Sequence, residues 1–314
     1  MAANNTKPKL SKSQAAEIVQ KHYKLTPTNL RFLPSYDDQN IYIATVEGGE
    51  YLLKIMNTVH TRDPTLIELQ SYAMNFLHQS GLPTQTTLKT TTGQLMIQED
   101  IDCGYGLQKY LVRLLTYLPG IPIAEVPLSP ELLYQVGRIA ATMDNILQKM
   151  EHPQLNVLQR DGFIWSLSNI CLLEKWLNVL DGDPLLEIVK SVLHQFKTAV
   201  APKYSSFREC LIHGDFNDLN VLVQENEKNG YKISGIIDFG DLNFGCYVNE
   251  LAVTIAYMML EHPNPLEPEN EEYLMCSSKK GIPLLRKLFE IGKEQVEKVW
   301  VKSAAEFRDS QPSS

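Results

Sequence analysis

Three polar side chains in the segment 213–241 have the types and spacing that chemistry on a phosphoryl group requires. Asp215 ends a His-Gly-Asp sequence, Asn220 lies five residues further on, and Asp238 follows two isoleucines. Phosphoryl transfer needs a carboxylate aimed at the acceptor hydroxyl and oxygen ligands that hold Mg²⁺ against the nucleotide phosphates. Asp215 can accept the hydrogen bond of a hydroxyl, whereas Asn220 and Asp238 offer the oxygen ligands that Mg²⁺ prefers. The segment therefore predicts a phosphotransferase site.

Two apolar runs between Asn220 and Asp238 indicate a β-hairpin that brings these two residues together. Residues 221–223 and 233–237 are separated by the polar stretch 224–232, which contains a glycine. This pattern is typical of two antiparallel strands. A lone His-Gly-Asp sequence is most often an ordinary turn, but the whole set around a hairpin favours the functional interpretation.

The segment resembles the catalytic and metal loops of the aminoglycoside phosphotransferase-like kinases, the small-molecule branch of the protein-kinase fold. The resemblance implies that Asp215 is the catalytic base and that Asn220 and Asp238 bind metal. The Asp-Phe-Gly sequence at 238–240 also occurs in protein kinases, and His-Gly-Asp in place of His-Arg-Asp points to the small-molecule branch. The implied fold is α+β, a two-lobed protein-kinase-like fold. Its N-lobe is a small antiparallel sheet, and its mainly helical C-lobe carries the inserted hairpin.

Lys54 is a charged residue inside an apolar strand candidate, residues 51–56. Such a charge is paired, functional or turned to solvent on the polar face of the strand. The family resemblance favours a lysine that holds the nucleotide phosphates and pairs with a glutamate on the next helix. We expect Glu68 to be that glutamate, because it lies on the helix that Asp63 and Pro64 begin.

The loop before the first long strand candidate has the place of the glycine-rich phosphate loop of protein kinases, but it contains no Gly-x-Gly sequence. Ser35, Gln39 and Asn40 can supply hydrogen-bond donors to the phosphates instead. Asp37 and Asp38 would repel phosphate. They are therefore expected to face a metal, the amine of a substrate, or solvent in an exposed turn.

The hinge between the lobes is predicted at residues 116–120, because a strand candidate ends there in a Leu-Pro-Gly turn. The backbone of this segment is expected to face the nucleobase. The predicted nucleotide-binding residues are thus Lys54, Glu68, Ser35, Asn40 and Tyr117. Arg113 lies in the preceding apolar strand. We expect it either to bind an anion of the substrate or nucleotide or to be solvated on the polar face of the strand.

Four longer stretches resemble the family members that phosphorylate the side-chain hydroxyl of 5-hydroxy-L-lysine, namely 34–40, 110–120, 207–220 and 234–241. The resemblance extends over nearly the whole chain and implies GTP as the phosphoryl donor, with ATP possible, and Mg²⁺ as the metal. Because the substrate carries two ammonium groups, an acidic pocket is expected, with Asp241, Glu250 and Asp37 as candidate members. The alternative is another amino alcohol, such as choline, homoserine or an aminoglycoside.

The pattern along the chain predicts strands early and helices late. We expect a strand-rich N-lobe at 1–115, the hinge at 116–120 and a helical C-lobe at 121–314. Helices are predicted at 13–23, 64–80, 130–147, 162–179, 185–200, 247–260 and 284–307, and strands at 40–46, 51–56, 94–98, 110–116, 210–212, 221–223 and 233–237.

The composition limits the partners and the compartment. A net charge of −8 disfavours nucleic acid, which is bound by basic surfaces. No apolar run is long enough to span a bilayer, and the N-terminus lacks the apolar core of a signal peptide. Five scattered cysteines with no Cys-x-x-Cys pair predict reduced thiols and a cytoplasmic location. The sequence does not indicate an oligomeric state.

The interval 261–270 is proline-rich and short. The family resemblance implies a longer helical stretch at this point, so the interval looks like the join left by a skipped segment. Helices gain most of their stability from packing. A shortened, less stable and catalytically impaired nucleotide-binding form is therefore a further alternative.

Overall fold

The computed structural model describes residues 6–104, 106–183, 185–226 and 230–260. The predicted helix 284–307, the interval 261–270 and Cys276 lie outside these residues. The described chain divides into two units. The first contains the residues up to Pro119 together with His152–Val157, and the second contains Gly120–Glu151 and the residues from Leu158 onward.

Five α-helices and ten strands make up the regular structure of the described residues. The helices are α1 (Lys12–Tyr23), α2 (Pro64–Gln79), α3 (Pro130–Leu147), α4 (Leu185–Gln195) and α5 (Tyr247–Leu260). The strands are β1 (Pro27–Leu33), β2 (Gln39–Thr45), β3 (Glu50–Ile55), β4 (Ile97–Asp102), β5 (Leu107–Thr116), β6 (Ile121–Pro122), β7 (Glu209–Ile212), β8 (Val221–Glu225), β9 (Tyr231–Ile236) and β10 (Asn243–Cys246).

The first unit is built on an antiparallel five-stranded sheet in the order β1-β2-β3-β5-β4. Directly opposed residues of such a sheet lie on the same face. Ile41, Leu53 and Leu114 are opposed in this way and are fully buried with α1 in one apolar cluster. On the other face, Lys54 lies opposite both Asn40 and Arg113. One face of the sheet therefore forms the core, and the other carries the charged candidates.

Both helices of the first unit begin at side-chain caps. The Ser11 hydroxyl accepts the backbone N–H of Gln14, and the Gln14 side-chain oxygen accepts the backbone N–H of Ser11. Asp63 accepts the N–H of Leu66 at 3.1 Å, with Pro64 in the first turn of α2. The Asp-Pro sequence therefore starts α2 where the sequence predicts.

The second unit combines helices with two small sheets, β10-β7 and β6-β8-β9. Ser129 caps α3 through the N–H of Leu132, and the apolar side of α3 buries Val136 and Met143. Helices α3 and α5 both pack on β7, the strand that leads into the His-Gly-Asp sequence. The predicted hairpin is present as β8 and β9.

Two predicted helices differ in the structure. Residues 162–179 do not form an α-helix, because the helical part, Leu167–Leu180, consists of 3₁₀ turns without a buried side chain. No apolar face fixes a longer helix there. The helix predicted over 185–200 is α-helical only to Gln195, and the turns that follow contain Pro202, which cannot donate a backbone hydrogen bond.

Three strands are not predicted from the sequence, and one is displaced. β1 and β6 contain proline, and β10 contains asparagine and glycine, all of which are poor strand formers. The strand predicted at 94–98 lies at Ile97–Asp102. Among the described helices, none has the length and apolar character needed to cross a membrane.

Candidate active site

A buried histidine joins the two loops that carry the predicted catalytic and metal-binding residues. The His213 side chain is 0% exposed, and its Nε2 donates to the carbonyl oxygen of Ile237 at 3.0 Å. Its Nδ1 accepts the backbone N–H of Asp215 at 3.3 Å. Burial lowers the pKa of His213 to about 4, so the ring is neutral, with one nitrogen as donor and the other as acceptor. His213 thereby fixes Asp215 relative to the residue before Asp238.

Glu250 of α5 lies beneath the same loop. Its side chain is 1% exposed, and its Oε2 accepts the backbone N–H of Gly214 at 2.9 Å. Burial raises the pKa of Glu250 to about 7, although the N–H groups of Gly214 and His213 oppose this rise. Glu250 is predicted to contact substrate, but in this structure its carboxylate holds the loop backbone.

A second buried acid, Asp144 of α3, lies near Glu250. Burial and then the charge of Glu250 raise the pKa of Asp144 well above its ordinary value. Within the described residues, Asp144 Oδ1 and Glu250 Oε1 have no hydrogen-bond partner. The sequence signal for Asp144 is its position four residues after Ala140, on the apolar side of α3.

The Asp215 carboxylate is oriented by two asparagine amides. Asn217 donates to its Oδ1 at 2.8 Å, and Asn220 donates to its Oδ2 at 2.9 Å. Burial, followed by the charges of Asp241 and Asp238, raises the pKa of Asp215 to about 6. The carboxylate is thus held in place and has a higher proton affinity than an ordinary aspartate, as general-base chemistry near neutral pH favours.

The residues predicted to bind metal have oxygens that fit Mg²⁺. The Asn220 amide nitrogen is committed to Asp215, donating to its carbonyl oxygen at 2.9 Å as well as to its carboxylate. This orientation leaves the amide oxygen of Asn220 for another ligand. Asp238 is exposed and has left-handed backbone, with φ +57°. The charges of Asp238 and Asp241 both raise the pKa of Asp215, so negative charge is concentrated around this carboxylate. A divalent cation bound there would offset that charge.

Two side chains hold the backbone of the segment that carries Asp238 and Asp241. Arg160 donates to the carbonyl oxygens of Gly240 and Leu242 at 2.9 and 3.3 Å. Asn243 donates to the carbonyl oxygen of Asp241 at 2.6 Å. Arg160 lies 80 residues before Gly240, so no local sequence signal connects them.

In the first unit, Lys54 forms an ion pair with a residue other than the one expected. The Lys54 ammonium lies 3.5 Å from the Asp38 carboxylate, and both side chains are buried. Glu68 is exposed on α2, and among the described residues no ion pair includes it. The structure therefore does not show the predicted pair of Lys54 with Glu68. Asp37, the neighbour of Asp38, is exposed.

The predicted phosphate-loop residues make contacts within the loop. Ser35 Oγ donates to the Asp38 carbonyl oxygen at 2.7 Å, and the Asn40 amide donates to the Pro34 carbonyl oxygen at 3.4 Å. The Asn40 amide oxygen is buried and has no hydrogen-bond partner among the described residues. Ser35 and Asn40 therefore shape the loop before β2, and the role of either in phosphate binding stays a prediction.

Tyr117 and Arg113 lie in different surroundings. The Tyr117 hydroxyl accepts a hydrogen bond from Arg31 at 3.1 Å, and its ring packs edge-on against Tyr42 at 4.8 Å. Arg113 is 2% exposed and donates to Ser71 of α2 at 3.0 Å. It is therefore not a solvated charge on the polar face of the strand.

Comparisons with known proteins agree on one enzyme family. A family model described as "Phosphotransferase enzyme family" matches residues 29–286. The chain is similar to the hydroxylysine kinase of Danio rerio, with 47% identity over 353 aligned positions that cover 98% of this chain and 99% of that one. It is also similar to the hydroxylysine kinase of Bos taurus, with 38% identity and coverage of 96% and 95%.

Solved structures of small-molecule kinases share the fold. An amicoumacin kinase, in complex with AMP-PNP, Ca²⁺ and amicoumacin, matches with a TM-score of 0.62 and 15% identity, covering 96% of this chain and 95% of that one. An aminoglycoside phosphotransferase from Streptomyces rimosus matches with a TM-score of 0.55 and 10% identity, covering 94% and 98%. The predicted α+β, protein-kinase-like fold is confirmed. The chain belongs to the phosphotransferase enzyme family and is a phosphotransferase that acts on a hydroxyl group.

Proposed function

We propose that the chain transfers the γ-phosphate of GTP to the side-chain hydroxyl of 5-hydroxy-L-lysine, as a cytoplasmic step of lysine degradation. The observation that carries this proposal is the 47% identity with a hydroxylysine kinase over nearly the full length of both chains. ATP is the alternative donor. An acceptor other than hydroxylysine, such as another amino alcohol, is the alternative within the same chemistry.

Asp215 is the proposed catalytic base. Its two oxygens are held at 2.8 and 2.9 Å by Asn217 and Asn220, so the carboxylate has a fixed direction. Burial raises its pKa to about 6, which increases its ability to accept a proton without leaving it protonated at pH 7.5. Asp215 would orient the acceptor hydroxyl for in-line attack and receive its proton.

Asn220 and Asp238 are the proposed Mg²⁺ ligands, and Lys54 the proposed phosphate-binding lysine. The metal, when bound with the nucleotide, would supply positive charge to the phosphate oxygens. The described residues contain no group of three His, Cys, Asp or Glu side chains able to hold a metal. A site with one carboxylate and one amide therefore relies on the nucleotide phosphates for further ligands, as Mg²⁺ sites of kinases do.

One observation favours a second candidate, a nucleotide-binding form with impaired turnover. The alignment with the Danio rerio enzyme runs over 353 positions, although this chain has 314 residues. The relative therefore has residues without a counterpart here. Nucleotide binding without turnover would identify this candidate.

The decisive experiment measures nucleoside diphosphate formation with Mg²⁺ and GTP or ATP, in the presence of 5-hydroxy-L-lysine or of lysine. We expect product only with the hydroxylated amino acid. Asp215→Asn should lower kcat by at least about 100-fold, because general-base catalysis contributes on this order. Asp181→Asn, at an exposed aspartate, should leave kcat unchanged. Turnover with choline, homoserine or an aminoglycoside but not with hydroxylysine would refute the proposed acceptor.

A further inference from the structure

Asp38 is a buried carboxylate at the centre of a small charged cluster in the first unit. It is 8% exposed, although it lies in a loop next to the exposed Asp37. Its Oδ2 lies 3.5 Å from the Lys54 ammonium, and its Oδ1 accepts the backbone N–H of Asn57 at 2.9 Å. His60 Nδ1 lies 3.6 Å from the same Oδ1. A carboxylate that accepts a backbone N–H with one oxygen and faces an ammonium with the other has a defined position.

The sheet register explains why a loop residue reaches Lys54. Gln39, the first residue of β2, lies opposite Ile55, the last residue of β3. Asp38 precedes Gln39 and therefore lies beside the residues that follow β3, where it meets the N–H of Asn57. Lys54 is one residue before the end of β3, so its side chain is within reach of Asp38.

The charge state of Asp38 supports an ion pair. Burial alone would raise the pKa of Asp38, but the Lys54 ammonium, His60 and the Asn57 N–H together lower it to about 2. The carboxylate is therefore ionised at neutral pH. Lys54 is 6% exposed, and a buried ammonium needs such a partner to keep its charge.

Glu68 does not occupy this position. It is exposed on α2, whereas the residues of α2 that contact the same face of the sheet are neutral, among them Gln70 and Ser71. Both of these hydrogen-bond to Arg113, which lies opposite Lys54 in the sheet. The carboxylate that pairs with the predicted phosphate-binding lysine in this unit therefore comes from the loop before β2.

We propose that Asp38 is the positioning residue of Lys54, and that it does from the loop before β2 what Glu68 on α2 was expected to do. The proposal rests on the proposed function, in which Lys54 binds nucleotide phosphate. It assigns the two adjacent aspartates different roles, since Asp38 orients the lysine while Asp37 stays at the surface. It also predicts that movement of this loop changes the position of the lysine.

The test measures the dissociation constants of MgGTP and MgATP by calorimetry, without any acceptor. We expect Asp38→Asn to weaken the binding of the better nucleotide by at least tenfold, while Asp37→Asn and Glu68→Gln stay within twofold of wild type. Because Asp38 acts through Lys54, the double variant Lys54→Met/Asp38→Asn should bind no more weakly than Lys54→Met alone. A purely structural role of Asp38 would instead give additive losses.

Thermal unfolding keeps the test decisive if Asp38→Asn is poorly folded. That variant removes the carboxylate charge that lies 3.5 Å from the buried Lys54 ammonium, so the double variant should melt at a higher temperature than Asp38→Asn alone. Any one of three results would overturn the proposal. These are equal melting temperatures of the two variants, additive losses of nucleotide affinity, or a loss of affinity with Glu68→Gln and none with Asp38→Asn. Wild-type protein that binds neither nucleotide would refute the proposed function itself, whatever the variants show.

Discussion

Protonation of His213 should destabilise the native protein in mildly acidic solution. The ring is fully buried, and its Nδ1 accepts the N–H of Asp215. Protonation would remove that acceptor and place a charge among the rings of Phe216 and Phe239, which pack against the histidine. The native state therefore disfavours the charged form, whereas the unfolded chain accepts the proton readily.

The size of the effect follows from the two pKa values. Burial lowers the pKa of His213 from its ordinary value of 6.5 to about 4. The unfolded state binds this proton below pH 6.5 and the native state only below about 4, so stability falls as the pH decreases between these values. This difference corresponds to about 3 kcal/mol of unfolding free energy. The contribution is fully present above pH 6.5 and is lost by about pH 4.

Urea unfolding at a series of pH values from 7 to 4 tests this reasoning. The free energy of unfolding of wild type should decrease by about 3 kcal/mol more than that of His213→Gln over this range. His194 is exposed on α4, so His194→Gln should keep the wild-type pH dependence. Parallel curves for wild type and His213→Gln would refute the assignment of a buried neutral ring.

Two further predictions concern the same loops. Gly214 has φ +85°, and a β-carbon there would collide with the carbonyl oxygen of Asp241, whereas Gly182 has φ +86° and open space around it. Gly214→Ala should therefore lower the unfolding free energy by more than about 2 kcal/mol and abolish turnover, but Gly182→Ala should cost only about 1 kcal/mol. Asn220→Ala should raise the Mg²⁺ concentration for half-maximal activity at least tenfold, measured by titrating Mg²⁺ at fixed nucleotide. Asn217→Ala, which removes the other amide on Asp215, should lower kcat without that shift, and equal Mg²⁺ requirements for both variants would contradict the assignment of the metal ligand.

Local patterns account for the parts of the fold that were predictable. The Asp-Pro sequence at 63–64 and the Ser-Pro sequence at 129–130 specify the starts of α2 and α3, because each supplies a cap and a fixed φ. The hairpin β8–β9 was predictable because its two apolar runs flank a polar stretch with a glycine. We predict that this hairpin brings Asn220 and Asp238 together, and the backbone N–H of Ile237, beside Asp238, donates to the carbonyl oxygen of Asn220 at 3.0 Å.

Contacts between distant segments account for the parts that were not predictable. The pair of Asp38 with Lys54 depends on the register of β2 with β3, and the hydrogen bond from Arg160 to the loop that carries Asp238 spans 80 residues. β10 pairs with β7 although its residues are poor strand formers, so tertiary context overrides propensity. Likewise, the helical part of the segment predicted at 162–179 buries no side chain, which a local count of apolar residues does not reveal.

The left-handed backbone at position 238 restricts which amino acids natural variation can place there. With φ +57° and ψ +71°, the site favours glycine, asparagine and aspartate. Glycine fits the backbone but brings no oxygen ligand, and asparagine fits while losing the negative charge. Glutamate keeps the charge, but its longer side chain lacks the local hydrogen bonding that lets Asp238 accept the N–H of Gly240 at 3.2 Å. Backbone shape and the proposed metal binding thus favour the same residue independently, and this position should tolerate almost no substitution over evolutionary time.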